Sequence, residues 1–309
     1  MTSLPAYLLM EAAMLIPLAA AVLIPVFRKS PNAREAVTLV AAAALAVVTW
    51  SILPTVMAGE RPQIDLVTIA PGLEIRFRLE PLGMIFALVA SSLWILNSIY
   101  SIGYMRGTNE PRQTQFYVCF AIAISSALAL AFSANLFTMF LAYEALSLST
   151  YPLVTHKGTE KAMRAGRVYL LLLMGTSIVL FLPGIVAVQV LAGTSEFTAG
   201  GVLAGKDLSP AIVGILLALF AFGIGKAAVM PFHFWLPTAM VAPTPVSALL
   251  HAVAVVKAGV FSVLKVVVYI FGIDTLTASG ANTWLVYLAA FGVIMASIVA
   301  LNQDNLKAR

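Results

Sequence analysis

Lys226 lies in the run Leu216–Pro231, one ammonium in an otherwise apolar stretch, with Pro231 just over a helical turn beyond it. A charge at the centre of a bilayer costs about 2.5 kcal/mol or more, so such a lysine normally faces a protein interior or a water-filled cavity and marks an ion or proton path. Glu144, within Phe140–Ser147, is a carboxylate with apolar residues on both sides. It is the natural counter-ion of Lys226, and making or breaking that pair would change how tightly the site holds a proton. Its bland alternative is an ion pair that only locks two helices. Lys257 is a second lysine in an apolar run, and His251 precedes it by six residues, or ~9 Å along a helix. A histidine accepts a proton on one ring nitrogen while donating from the other, which suits an intermediate relay. Beside Pro243 and Pro245, it could instead hydrogen-bond carbonyls freed by a broken helix.

The prolines Pro231, Pro237, Pro243 and Pro245 share one segment with His233 and Trp235. Proline removes a backbone donor and breaks helices, and non-helical backbone at membrane depth needs protein or a cavity around it. A broken helix beside a buried lysine is expected where half-helix ends coordinate ions; a re-entrant turn serving only packing is the alternative. Lys265, eight residues past Lys257, is expected to snorkel to the interface, and Glu11 to lie at the membrane surface.

The elements that position these groups are membrane spans. The chain is 61% hydrophobic and 10% charged, with a mean hydropathy of +0.99, far from a soluble domain. Apolar runs long enough to cross a bilayer fall near residues 7–27, 36–57, 82–104, 116–133, 136–155, 168–191, 211–230, 246–271 and 284–301, which predicts an all-α polytopic membrane protein of about nine spans. The first run lacks a preceding basic segment, and Arg28, Lys29 and Arg34 follow it, so it reads as a retained span with its N-terminus outside. That orientation puts most Lys and Arg residues in inside loops and leaves Arg61, Arg76, Arg78 and Lys206 outside, with the C-terminus cytoplasmic. Alternation in Leu73–Leu79 around Pro71-Gly72 predicts an outside β-hairpin covering helix ends. Cys119 is the only cysteine, so disulfides within the chain and cysteine-held clusters are excluded. No glycine-rich nucleotide loop is present, no cofactor is expected, and the net charge of +5 comes without the basic stripe of a nucleic-acid binder.

The stretches Gly225–Pro237 and Ala242–Ala252 together resemble the antiporter-like proton-conducting subunits shared by respiratory complex I, membrane-bound hydrogenases and Mrp multisubunit Na⁺/H⁺ antiporters. Glu144 with Ser147–Pro152 is similar to the family's glutamate helix, and Glu80-Pro81-Leu82 to the start of its third span. Val255–Phe261 and Ala165–Leu170 look closest to the Mrp D-type subunit. The resemblance implies three N-terminal spans over 1–114, a five-helix proton-channel unit over 115–272 with a proline-broken helix, and over 273–309 the first helix of an inverted second unit. It implies that Glu144 and Lys226 form a switching pair and that His251 and Lys257 connect onward. The expected role is that of a subunit in the cell inner (plasma) membrane, without redox chemistry of its own, working with other membrane subunits to move protons and Na⁺. A proton-pumping subunit of a complex I-like oxidoreductase or hydrogenase, which would be part of a translocase, is the second expectation. Because Gln303–Arg309 resembles the loop after that first helix, a fragment or a split subunit is expected, and a non-conducting scaffold is the third reading.

Overall fold

The fold comes from a computed structural model that describes residues 5–70 and 72–304, with backbone alone over 249–253. Three long helices open the chain: α1 (Ala6–Leu23, prolonged by a 3₁₀ turn to Phe27), α2 (Pro31–Met57) and α3 (Pro81–Gly107). They are followed by α4 (Gln113–Phe132) and α5 (Leu136–Val154). Next comes a continuous rod of α6 (Glu160–Thr176), a π turn (Ser177–Phe181) and α7 (Leu182–Ala192). The chain ends with α8 (Pro210–Gly223), the short α9 (Trp235–Ala239), a π segment (Val246–Val255), α10 (Val256–Val266), α11 (Ile273–Ser279) and α12 (Thr283–Leu301). α4 is the hub, packed against α1, α3 and α5 and buried along most of its length.

This is an all-α membrane protein, and among the described residues six helices are long and apolar enough to cross a bilayer. A seventh span arises if Val256–Phe271 and Ile273–Ser279, bent by 79°, count as one. The two expected spans that fall short do so for physical reasons. α5 carries Glu144 and a run of hydroxyl residues in its 19 residues, and α8 stops after 14 residues because the chain breaks there. α12 has no buried residue.

Side-chain bonds define two faces. Arg34 reaches Gln113 and Thr114, Arg106 pairs with Glu35 and reaches Asn32, and Arg112 donates to the carbonyl of His156, so the start of α2, the end of α3, the start of α4 and the chain just past α5 gather with their arginines at one end. At the other end strands β1 (Gln63–Ala70) and β2 (Leu73–Arg78) pair antiparallel around Gly72, as the alternating pattern predicts. This hairpin is stitched to the start of α5: Arg76 N–H donates to Thr138 Oγ1, and the Asn135 amide donates to the Glu74 carbonyl. Asn135 also caps α5, accepting from Thr138 N–H.

His156 sits at the basic end, just past α5, buried beside Glu110, which is 3.9 Å away. Burial disfavours its charged form, and although Glu110 opposes that and Arg112 and Lys157 reinforce it, the imidazole titrates below its usual range. The unfolded histidine therefore takes up its proton first as pH falls below about 6.5, and stability is lost through that window. Thermal unfolding in detergent between about pH 8 and pH 5 is expected to show a falling midpoint that His156→Gln flattens; equal slopes for the two proteins would remove His156 as the cause.

Candidate functional site

The break after α8 is set by close approach. A Cβ on Gly223 would stand 2.4 Å from the Phe181 amide nitrogen, one on Gly225 2.4 Å from Thr176 Oγ1, and one on Gly259 2.2 Å from the Ala227 amide nitrogen. Glycine alone lets the π turn after α6 and helix α10 press on the chain from both sides. The backbone leaves the helix at Ile224, makes a 3₁₀ turn over Gly225–Ala227 and passes through the left-handed region at Ala228, with φ +54°. Lys226 is therefore inside the break, and the sequence expectation of an interruption starting at Pro231 is corrected by several residues. Pro231 is exposed in the turn that follows, while Pro243 and Pro245 are buried and lead into the π segment.

Non-helical backbone in hydrocarbon must find partners within the protein. Lys226 N–H donates to Tyr143 Oη at 2.9 Å, and the Gly225 carbonyl accepts from Trp235 Nε1 at 3.0 Å. Trp235 in turn meets Tyr169 edge to face, which ties the break to α6. Both bridging residues present an apolar body and a polar tip, the form that suits a buried break.

The Lys226 side chain is fully buried. Its Nζ donates to the Tyr143 carbonyl at 2.8 Å and to Ser147 Oγ at 2.5 Å, and lies 3.2 Å from the centre of the Tyr143 ring. Tyr143 thus meets Lys226 three ways, through its hydroxyl, its carbonyl and its ring. Glu144 follows Tyr143 on α5, and both its carboxylate oxygens are buried without a hydrogen bond. Lys226 and the Ser177 hydroxyl are its polar neighbours. Sequence spacing proposes Glu144 and Lys226 as a pair; the structure brings them into electrostatic reach but leaves the ion pair open, with the ammonium held by Tyr143 and Ser147 instead.

The other expected residues are distributed differently. The His251 side chain lies outside the described residues. Lys257, expected to be buried, is exposed on α10, and Lys265, expected to snorkel, is fully buried with Nζ 2.6 Å from the Ser133 carbonyl and 3.6 Å from Glu80. His233 is partly buried with Nδ1 unpartnered, and faces a cavity of about 540 Å³ lined also by Pro237, Ser297 and Gln303. Tyr143 and the pairing of Glu80 with Lys265 escaped sequence reading. A tyrosine preceding an intramembrane carboxylate was the available signal for the first, and an acidic residue at a helix start on the hairpin side for the second. No group of three metal-ligating side chains occurs among the described residues.

Comparison with known proteins bears on this geometry. Residues 133–309 match the family described as NADH:quinone oxidoreductase/Mrp antiporter, transmembrane, and residues 69–117 match the N-terminus of complex I chain 5. NADH-ubiquinone oxidoreductase chain 5 of Allomyces macrogynus is 32% identical over 189 residues, covering 61% of this chain and 29% of that protein. The A-type subunit of the Na⁺/H⁺ antiporter of Alkalihalophilus pseudofirmus is 31% identical over 249 residues, covering 77% and 29% respectively. The chain spans less than a third of the length of these relatives, which are of the antiporter A type and the chain 5 type and do not single out the D type. Among solved structures, a chain of the Mrp complex from Dietzia sp. superposes with TM-score 0.82 at 24% identity, over 97% of this chain and 32% of that one. A chain of an archaeal membrane-bound sulfane sulfur reductase superposes with TM-score 0.81 at 22% identity, over 97% and 61%. Both likenesses establish the fold.

Tyr143→Phe keeps the ring and the carbonyl but removes the hydroxyl that accepts from Lys226 N–H. An unsatisfied buried amide costs about 1–3 kcal/mol, so a lowered thermal midpoint in detergent is expected, and an unchanged midpoint would mean that the tyrosine hydroxyl does not hold the break.

Proposed function

Because this chain belongs to the NADH:quinone oxidoreductase/Mrp antiporter transmembrane family, we propose that it is a proton-conducting subunit of a multisubunit Na⁺/H⁺ antiporter. One observation carries the reading: a fully buried lysine sits inside a broken helix, within electrostatic reach of a carboxylate that has no hydrogen bond. A structural ion pair would be closed; this one is open, with the ammonium held by Tyr143 and Ser147.

In the proposed cycle the Lys226 ammonium alternates between the Tyr143 carbonyl with Ser147 Oγ and the Glu144 carboxylate. Closing the pair and opening it change how strongly the site holds its proton, which lets loading and release occur in different arrangements. The channel unit lies within residues 115–272, and His251 and Lys257 carry the proton onward. Lys257, exposed here, then faces a neighbouring membrane subunit or a segment that completes the path. Protons and Na⁺ are the ions proposed, and other membrane subunits of the assembly are the partners. The basic end is assigned to the cytoplasm and the hairpin to the outside of the plasma membrane, on the excess of Lys and Arg in the loops of that end.

A proton-pumping subunit of a complex I-like oxidoreductase is the second reading, favoured by the match of residues 69–117 to chain 5 and by the Allomyces relative. Co-purifying subunits decide between the two. In liposomes holding the purified assembly, Lys226→Ala is expected to lower proton flux by about 100-fold, the range for losing a positioned proton carrier, while the assembly stays intact. Flux unchanged by this substitution would contradict conduction through Lys226 and leave a non-conducting scaffold.

A further inference from the structure

We propose that Glu80 and Lys265 form a second proton site, at the hairpin-side mouth of the path, passing protons between the bundle interior and the water on that face. This rests on the conducting role proposed above and adds to it the residues through which a proton reaches one aqueous phase.

Three observations carry it. First, the two oxygens of the buried Glu80 carboxylate are in different states. Oε1 accepts from Arg78 at 3.0 and 3.2 Å, whereas Oε2 is buried, has no hydrogen bond and faces Lys265 Nζ at 3.6 Å. Second, Lys265 is fully buried, with the Ser133 carbonyl as its hydrogen-bond acceptor among the described residues and the rings of Phe197 and Phe261 at 4.5 and 5.7 Å. An ammonium carries three N–H donors, so it is under-satisfied on the side of Oε2. The two stand 3.6 Å apart, so a small approach brings Nζ and Oε2 within reach for a proton to pass.

Third, the pair connects in both directions. Towards water, Arg78 holds Glu80 and also donates to the Phe197 carbonyl, and it is the last residue of β2, about one-fifth exposed. Towards the interior, α10 sets Gly259, Ser262 and Lys265 one turn apart on its buried side. Gly259 abuts the backbone of Lys226 and Ala227, and Ser262, fully buried with its hydroxyl donating to the Ala258 carbonyl at 2.7 Å, is one turn from both Gly259 and Lys265. The separation along α10 is about 9 Å. Lys257 leaves this column for the exposed face of the same helix.

The step balances. A Lys265 N–H bond breaks as its proton passes to Glu80 Oε2, leaving a neutral amine and a carboxylic acid. The acid O–H then gives its proton to water at the hairpin face, restoring the carboxylate, and the neutral amine is reprotonated by a hydronium ion reaching it from the bundle interior. Flux in the other direction runs the same transfers in reverse.

The test uses the intact assembly in liposomes, with Lys265→Arg and Glu80→Gln compared with wild type and Lys226→Ala. Arginine keeps the charge and the tether but does not release a proton. The proposal expects Lys265→Arg to assemble normally and to lose proton flux at least tenfold, whereas a tether would leave flux within about twofold of wild type and overturn it. Glu80→Gln, similar in size, decides the matter should the arginine disrupt assembly: a tenfold loss with normal assembly supports the proposal, and near-wild-type flux overturns it. If Lys226→Ala abolishes flux while both of these variants conduct normally, the mouth site fails and the conducting role stands. If wild type itself moves no protons, the conducting role fails.

Discussion

The junction between Tyr143 and Lys226 holds the rest together. Hydrocarbon offers no partner to a freed amide or to an ammonium, so the break after α8 exists only because a neighbouring helix answers both. Tyr143 answers both, with Ser147 Oγ as a second acceptor for the ammonium: its hydroxyl takes the Lys226 amide, its carbonyl takes Nζ, and its ring lies against the same ammonium. The three glycines at the break, Trp235 on the Gly225 carbonyl and the π turn after α6 follow from the need to bring α5, α6 and α10 close enough for this. Ala228 at positive φ costs roughly 1–2 kcal/mol for an L-residue, which the packing around it must offset.

Around that junction charge is arranged in layers. The basic end is closed by conventional pairs such as Arg106 with Glu35, and the hairpin end by Arg76, which meets Asp65, Glu74 and Glu196 together. Between them the polar groups are sparse and incompletely paired. Glu144 and Glu80 each keep buried oxygen without a hydrogen bond beside a buried lysine. Buried charge in that state is expensive, and its presence at two depths of one bundle suits transfer better than it suits rigidity.

Much of the fold was legible because spans are the strongest signal a sequence carries. Uninterrupted apolar runs, the basic loops and the alternation in Leu73–Arg78 translate directly into helices, one basic end and a hairpin. The site was legible by residue type and less so by geometry. Proline is the louder helix breaker, so the interruption was expected at Pro231, yet the chain turns where Gly223 and Gly225 allow neighbours in. Lys257 and Lys265 exchanged places for a related reason. α10 carries a lysine on its buried side and another on its exposed side, so hydropathy alone does not show which face is packed. The small residues Ala258, Gly259 and Ser262 mark the packed face of α10 and point to Lys265, a packing signal that hydropathy hides.

The central claim is that Lys226 and Glu144 act as one proton-holding unit although no ion pair joins them in this conformation. A double-mutant cycle on proton flux in the reconstituted assembly, with Lys226→Ala, Glu144→Gln and the two combined, tests it directly. Coupled action predicts that the double variant is no slower than the slower single variant, as for groups that work as a unit. Flux losses that multiply, as they do for independent sites, would contradict it.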